Sequence, residues 1–312
     1  MRVSYSPGYV VPLPEAHAFP MGKFADLREL LVADGVVGEV VAPREADWGD
    51  LRLVHTERYL TALATQTLTR AEERRMGLPQ SAALWRRSRL AVQGTINACS
   101  FALLDGLAGN LAGGTHHAMP DFGQGYCVLN DVAVALTVLR REAWLGRALV
   151  VDLDVHQGDG NAAFFSGPRA WPDGGVYTFS MHGANNFPAR KPPSTRDVPL
   201  PDGTADAAYL AALAEHLSAA LAESAPDLVV YLAGVDVLAG DRFGRLALSR
   251  AGLAARDRYV CETVRAAGIP LCLLLSGGYA TRGARAERRT SARDTAELHA
   301  TVFRQANAVY AT

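Results

Sequence analysis

The sequence has few lysines and no excess of charge of either sign. Only two of its 31 basic residues, Lys23 and Lys191, are lysine, and this bias toward arginine points to codon usage more than to chemistry. The basic residues balance 32 acidic ones, which leaves a formal net charge of −1. Because nonspecific nucleic-acid binding depends on neutralising phosphates, this balance argues against a broad nucleic-acid-binding surface.

Cysteine is also scarce, and no two cysteines form a Cys-x-x-Cys pair. This spacing excludes a zinc ribbon and a dense disulfide framework, and it is typical of a chain from a reducing compartment. The four residues are Cys99, Cys127, Cys261 and Cys272.

Long apolar runs are absent as well. No stretch of about 18 apolar residues occurs, so no transmembrane helix is expected. The first 15 residues contain Pro and Glu where a signal peptide would need an apolar core. From these absences we expect a cytoplasmic protein without a membrane span.

What is present is an alternation of short apolar runs with longer helical patterns, which is typical of an α/β fold. The unbroken apolar character of the runs indicates strands covered on both faces, as in a parallel sheet. The predicted strands are residues 147–154, 175–181, 227–233 and 269–276. The predicted helices are residues 21–33, 56–65, 81–104, 130–143, 205–224 and 249–267. The sequence therefore predicts one domain over residues 1–312, with a central, mostly parallel sheet flanked by helices and a long loop at 187–201.

Polar side chains gather where the predicted strands end. One strand runs into Asp152, Asp154 and His156, which alternate along an extended chain and so share a face. Two other strands lead to Ser180 and to Asp236. Since ligands bind at the carboxyl ends of parallel strands, we expect these residues to meet at one edge of the sheet.

This grouping favours a metal site. A single Asp at a strand end is usually a helix cap, and the pair His116-His117 alone would usually be part of a turn. Several such groups at the ends of one sheet are costly to bury unless a cation compensates their charge. Two carboxylates and one imidazole also match a catalytic zinc set that leaves a fourth position for water.

Six segments, in this order and spacing, identify a family. They are HTERYL (55–60), GGTHHA (113–118), GQGYCVLND (123–131), VDLDVHQGDG (151–160), GVDVLAGD (234–241) and SGGY (276–279). By these motifs the sequence resembles the zinc-dependent histone deacetylase and acetylpolyamine amidohydrolase family over nearly its whole length. Within it, the opening segment 3–24 and the pair Arg242 and Gly244 most resemble class IV, whereas Asp159 stands where class IV members tend to carry Asn.

The resemblance implies an arginase/deacetylase-like fold and one catalytic Zn2+ per chain. The implied zinc ligands are Asp154, His156 and Asp236. It also implies a structural monovalent cation, usually K+. The implied ligands of this K+ are Asp152, Asp154, His156 and the backbone of Ser180 and Met181.

By the same resemblance, His116 and His117 are tandem acid–base residues. His117 would take a proton from a metal-activated water and return one to the leaving amine, while His116 tunes the electrostatics. Asp152 is the implied carboxylate partner of His116, and Asp159 that of His117; such partners fix the imidazole tautomer. Tyr279 would donate a hydrogen bond to the amide oxygen as negative charge develops there.

Four more residues are implied to shape the substrate channel. Gly125 and Tyr126 resemble the wall of an acyl-lysine channel, although an ordinary core aromatic is the alternative for Tyr126. Gly277 and Gly278 would let the chain turn tightly, so that the phenol of Tyr279 faces the metal.

The implied activity is removal of an acyl group, acetyl or longer, from the ε-amine of lysine in a peptide or protein. An acylated polyamine or other small amine is the alternative substrate, and it would favour acidic residues at the pocket mouth, with Glu15 and Asp121 as candidates. A non-hydrolytic acyl-lysine binding module would not need the histidine pair. A two-manganese ureohydrolase would need a second Asp near Asp236. The sequence does not fix the oligomeric state.

Overall fold

Eight strands pair side by side in a single sheet of the computed structural model, which describes residues 1–15, 17–166, 171, 174–279 and 288–311. The strands are β1 (Arg2–Ser4), β2 (Glu39–Val41), β3 (Leu107–Asn110), β4 (Ala148–Asp152), β5 (Val176–Gly183), β6 (Arg196–Leu200), β7 (Leu228–Leu232) and β8 (Leu271–Leu274). Their order is β2-β1-β3-β8-β7-β4-β5-β6, and every neighbouring pair is parallel. The prediction of a parallel sheet is confirmed.

Helices cover both faces of this sheet. They are α1 (Lys23–Ala33), α2 (Trp48–Leu51), α3 (Glu57–Thr65), α4 (Arg70–Met76), α5 (Ala82–Asp105), α6 (Asp131–Arg141), α7 (Asp159–Phe165), α8 (Asp206–Ser224), α9 (Arg250–Ala266) and α10 (Arg288–Tyr310). Side-chain caps start several of them: Ser249 accepts a hydrogen bond from the Gly252 amide, and Thr69 forms a capping box with Glu72. Among the described residues, no helix combines the length and the apolar character that a bilayer span requires.

The core lies at the middle of the sheet. Every residue of β4, β7 and β8 is buried, as expected for strands packed on both faces. Helix α5 packs on β3 and α6, and α10 packs on α1 and α9. Because the four strands β8, β7, β4 and β5 are adjacent, the segments that follow their carboxyl ends converge on one place.

The four predicted strands and six predicted helices are present, each within two residues of the predicted ends. The long loop predicted at 187–201 is wrong over its last part, where β6 pairs with β5. Pro199 obscures this strand in the sequence, yet proline is tolerated on an edge strand, where its missing N–H is not needed. The short strands β1, β2 and β3 were not predicted, because three or four residues give too little periodicity.

Candidate active site

Three buried side chains converge just beyond the sheet. Asp154 and His156 lie in the segment after β4, and Asp236 lies in the segment after β7. One ligand atom from each lies within 4.8 Å of the others, and no second group of this kind occurs in the described parts of the chain. Asp154 and Asp236 are fully buried.

The charges of this group favour a bound cation. The Nδ1 atom of His156 lies 3.0 Å from Asp154 Oδ1 and 3.2 Å from Asp236 Oδ2. Burial opposes a charge on His156, but attraction to the two carboxylates outweighs burial and raises its pKa to about 10. Asp236 Oδ2 is buried and accepts no hydrogen bond. Two carboxylates and one imidazole fit Zn2+, which displaces the imidazole proton when it binds.

The segment after β8 closes over this group. Asp154 Oδ2 accepts hydrogen bonds from Ser276 Oγ at 2.8 Å and from the Gly277 amide at 2.6 Å. A Cβ atom on Gly277 would collide with carboxylate oxygens of both Asp154 and Asp236. Glycine is therefore required at 277 because the backbone passes directly against the predicted metal ligands.

Two histidines lie beside the group, each against its own carboxylate. His116 Nδ1 lies 2.7 Å from Asp152 Oδ2, and His117 Nδ1 lies 2.6 Å from Asp159 Oδ1. All four side chains are buried, and the two imidazole rings are 4.0 Å apart. The structure thus brings together the four residues that the family resemblance implies as two pairs.

The two imidazoles differ in charge. Burial lowers the pKa of His117 to about 4, with help from the neighbouring positive charge of His116. Burial also opposes a charge on His116, but Asp152 and Asp154 outweigh it and raise its pKa to about 9. Neutral His117 can therefore accept a proton at pH 7, whereas His116 holds one. Such a separation of neighbouring titratable groups is typical of acid–base sites.

Sequence reasoning assigned no role to Gln124, although this residue lies in a quoted motif. Its Nε2 donates a hydrogen bond to Asp159 Oδ2 at 2.6 Å, so both oxygens of Asp159 are engaged. Gly125 follows it with a φ of 55°, and a Cβ atom there would collide with the His117 ring. The motif GQG thus fixes both the carboxylate partner and the packing of His117.

Tyr279 lies beside the group, half-buried, with its ring centroid 6.4 Å from that of His156. Burial raises the pKa of its phenol well above the usual value, so the hydroxyl keeps its proton. The Tyr279 amide donates to Asp241 Oδ2 at 2.9 Å, and Asp241 Oδ1 accepts from the amides of Phe243 and Gly244. Asp241, which sequence reasoning also left without a role, therefore ties Tyr279 to the segment around Phe243.

A buried lysine contacts the backbone of the segment that leads to Tyr279. Lys23 Nζ lies 3.4 Å from the carbonyl oxygens of both Ser276 and Gly278, and 3.3 Å from His299 Nε2. Its side chain is 1% exposed, and burial lowers its pKa to about 8. Lysine is rare in this chain, which otherwise uses arginine. This rarity is the sequence signal that could have pointed to Lys23.

A cavity of about 530 Å³ opens from the protein surface onto these residues. His117, His156 and Tyr279 line its inner end, and three aromatic rings form much of its wall. The rings are those of Tyr126, Phe187 and Phe243. A second space of about 40 Å³ is also lined by Tyr279 and His117, together with Cys127 and Gly277.

The residues predicted to bind a monovalent cation lie on two adjacent strands and in the segment that follows β4. Asp152 is opposite Ser180 in the β4–β5 register, and Met181 is next to it on β5. All three are buried. Asp152 Oδ1 accepts the Asp154 amide at 3.2 Å, and its Oδ2 faces His116.

Comparison with known proteins extends these observations. The chain is 48% identical over 280 residues to an uncharacterized protein of Picosynechococcus sp., covering 89% of this chain and 92% of that protein. It is 33% identical over 301 residues to histone deacetylase 2 of Arabidopsis thaliana, covering 91% of this chain and 76% of that protein. In fold it is similar to an acetylpolyamine aminohydrolase from Burkholderia pseudomallei, with a TM-score of 0.76, 21% identity and 99% coverage of both chains.

The subclass is not distinguished by these comparisons, so the resemblance to class IV stays a prediction. The family is distinguished. The histone deacetylase domain matches residues 17–293, a range that includes the converging ligands, both histidines and Tyr279. On this match, and on the similarity to the Arabidopsis protein, the chain belongs to the histone deacetylase family.

Proposed function

We propose that this protein is a zinc-dependent deacylase that hydrolyses the ε-acyl-lysine amide of a peptide or protein. One observation carries the proposal: the neutral imidazole of His117, the phenol of Tyr279 and the ligand His156 all line the inner end of one cavity. Amide hydrolysis needs a base for water, a Lewis acid and a donor to the developing oxyanion. His117 would be the base, Tyr279 would be the donor, and His156 would help to hold the Lewis acid.

Asp154, His156 and Asp236 would hold the ion. When bound, zinc polarises a carbonyl oxygen and lowers the pKa of a water molecule. A single three-residue group among the described residues supports one ion per chain and disfavours the two-manganese alternative.

The chain's own residues would move the protons. With Nδ1 facing Asp159, His117 presents its Nε2 to the cavity, where it can take a proton from the attacking water and deliver one to the leaving amine. Asp159 holds the ring in orientation and stabilises the imidazolium that forms. His116, charged beside Asp152, favours the negative charge that develops nearby, and the Tyr279 hydroxyl donates a hydrogen bond to the acyl oxygen.

The aromatic wall supports an extended alkyl substituent. Phe187 lies edge-on to the His117 ring, with centroids 4.9 Å apart, and Tyr126 also lines the cavity wall. Aromatic faces of this kind pack against methylene groups and exclude water from them. A lysine side chain that packs along these rings would bring its ε-amide to the inner end of the cavity.

We further propose that K+ binds beside Asp152, with the backbone of Ser180 and Met181 as ligands. Burial of the Asp152 carboxylate next to Asp154 supports a compensating cation there. A ligand that binds only the folded state raises the unfolding temperature. Potassium chloride should therefore raise the unfolding midpoint more than choline chloride at equal ionic strength; equal midpoints would contradict the proposal.

The activity is tested by mass spectrometry on zinc-loaded protein. The panel contains acetyl-, octanoyl- and myristoyl-lysine peptides and acetylated polyamines, and released carboxylate is measured. We expect turnover of acyl-lysine, and Tyr279→Phe should lower kcat about 100- to 1000-fold with zinc retained. No released carboxylate from any substrate, with one zinc bound per chain, would overturn the proposal.

A further inference from the structure

The mouth of the cavity is basic. Three arginines line it: Arg74 and Arg75 from the last turn of α4, and Arg245 from the segment after β7. Among the described residues that line this cavity there is no aspartate or glutamate. Glu15 and Asp121, the acidic residues considered for a polyamine site, are not part of its lining.

Two of these guanidinium groups are uncompensated within the part of the chain that the structure describes. No described carboxylate oxygen lies within 4.0 Å of Arg74 or Arg75, and Arg75 rests over the Phe122 ring, 4.6 Å from its centroid. Arg245 lies 3.3 Å from Asp202, but both side chains are about half exposed, so water and salt weaken this pair. The mouth therefore carries net positive charge.

Helix stability alone does not explain this arrangement. Cations in the last turn of a helix interact favourably with its dipole, which accounts for basic residues at the end of α4. The dipole does not require that both arginines border the cavity, nor that Arg245 joins them from a distant part of the chain. The three arginines therefore share the lining of one cavity, which the helix dipole does not explain.

We propose that this mouth selects acyl-lysine within acidic peptide segments and disfavours polycationic amines. The inference rests on the proposed deacylase function and narrows its substrate class. Guanidinium groups bind carboxylates through paired, charge-assisted hydrogen bonds, so aspartate or glutamate beside the acyl-lysine would meet Arg74, Arg75 or Arg245. The free amines of an acylated polyamine, or lysines flanking the acyl-lysine, would meet repulsion at the same place.

The test uses three acetyl-lysine peptides of equal length, flanked by aspartate, glutamine or lysine, together with a mono-acetylated diamine. For zinc-loaded protein at low ionic strength, we expect kcat/KM to rise about tenfold or more from the lysine-flanked to the aspartate-flanked peptide. The difference should shrink in about 0.5 M NaCl because salt screens exposed charges. Equal or faster turnover of the lysine-flanked peptide or the diamine would overturn the inference.

A pair of variants locates the effect. Arg74→Gln with Arg75→Gln should remove most of the preference, by lowering kcat/KM for the aspartate-flanked peptide and raising it for the lysine-flanked one. Arg28→Gln with Arg250→Gln is the matched control, since both residues are exposed, neither lines the cavity, and the net charge changes equally. The control should keep wild-type activity and preference. An unchanged preference in the Arg74/Arg75 variant would contradict the assignment.

Fluorescence anisotropy of the same labelled peptides separates this inference from the function on which it rests. We expect tighter binding of the aspartate-flanked peptide, weakened in the Arg74/Arg75 variant. Binding with this preference but without turnover would contradict the deacylase function alone. Binding without preference would overturn the role of the basic mouth.

Discussion

The inner end of the cavity and its mouth differ in burial and in the number of contacts that hold their side chains. At the inner end, buried groups are held by several partners each: Asp154 by Ser276 and Gly277, Asp159 by His117 and Gln124. At the mouth, Arg74 and Arg75 are exposed, and Phe187 is 43% exposed. Buried, oriented charges interact strongly, whereas exposed charges are screened. We therefore expect changes at the inner end to alter the chemistry by orders of magnitude, and changes at the mouth to alter substrate choice by smaller factors.

The largest effect is expected at a predicted metal ligand. Asp236→Asn keeps the shape of the side chain but removes the charge that a cation would neutralise, so zinc should be lost. A Lewis acid contributes several kcal/mol to such a reaction, so kcat/KM should fall by at least about 1000-fold. Zinc content by mass spectrometry and turnover of the acetyl-lysine peptide are the measurements.

Asp202→Asn is the matched control for this change, because it removes an aspartate charge near the mouth. It should keep both zinc and activity within a few fold, since exposed ion pairs contribute little. Retained zinc and activity in Asp236→Asn would break the contrast between the two regions.

A second prediction concerns Asp241, which joins the two regions. Its carboxylate accepts three backbone amides, one from Tyr279 at the inner end and two from Phe243 and Gly244 toward the mouth. In Asp241→Asn the amide nitrogen cannot accept the Tyr279 N–H, which leaves a buried donor unpaired. We expect a loss of about 1–3 kcal/mol in the free energy of unfolding. Because Tyr279 would shift, kcat should also fall by about tenfold or more.

Urea unfolding and steady-state kinetics measure these two effects. If stability fell while kcat stayed at the wild-type value, Asp241 would support the fold without positioning Tyr279. The inner end and the mouth would then be functionally independent, although Asp241 connects them through its hydrogen bonds.

Lys23 gives a pH-dependent test of the inner end. Its pKa falls from 10.5 to about 8 in the folded protein because of burial, so between these values the unfolded chain binds more protons than the folded one. Stability contributed by this group therefore rises with pH, by at most about 3 kcal/mol between pH 8 and 10.5. Below pH 8 the full cost of burying the charge is present.

Lys23→Met removes the ionisable group, and with it this pH-dependent contribution to stability. The difference in free energy of unfolding, wild type minus variant, should therefore increase as the pH is raised from about 8 to about 10. A difference independent of pH would show that the Lys23 charge is tolerated under Ser276 and Gly278. Lys191→Met is the comparison, because burial also lowers the pKa of Lys191 but this side chain is less buried, so its dependence on pH should be weaker.

The sequence supports prediction of the inner end better than of its surroundings. Asp154 and His156 could be paired because alternate residues of an extended chain share a face. Asp236 followed from its place after another predicted strand of the same sheet. Lys23 could not be placed by such arguments, since its partner Ser276 is 253 residues away and the contact depends on how α1 packs.

The basic mouth was equally inaccessible from sequence. Arg74 and Arg245 are two among 29 arginines, and no local pattern brings α4 to the segment after β7. The edge strand β6 was missed because Pro199 interrupts its alternation, although Val198 and Leu200 on either side are buried. Local periodicity and motifs thus predict elements and strand-end chemistry, whereas contacts between distant segments require the packed structure.

The smallest effect is expected at Phe187, where the two regions meet. Its ring is 43% exposed but lies edge-on to His117, so it should bind the substrate without taking part in proton transfer. Phe187→Ala removes an apolar wall, and KM should rise several-fold while kcat falls less, because the interaction is made equally with substrate and transition state. Trp144→Ala is the control, since Trp144 is half exposed and does not line the cavity. Steady-state kinetics with the glutamine-flanked peptide distinguish the alternatives. A large fall in kcat at unchanged KM would mean that Phe187 orients His117. Phe187 would then belong to the inner end of the cavity and not to its boundary with the mouth.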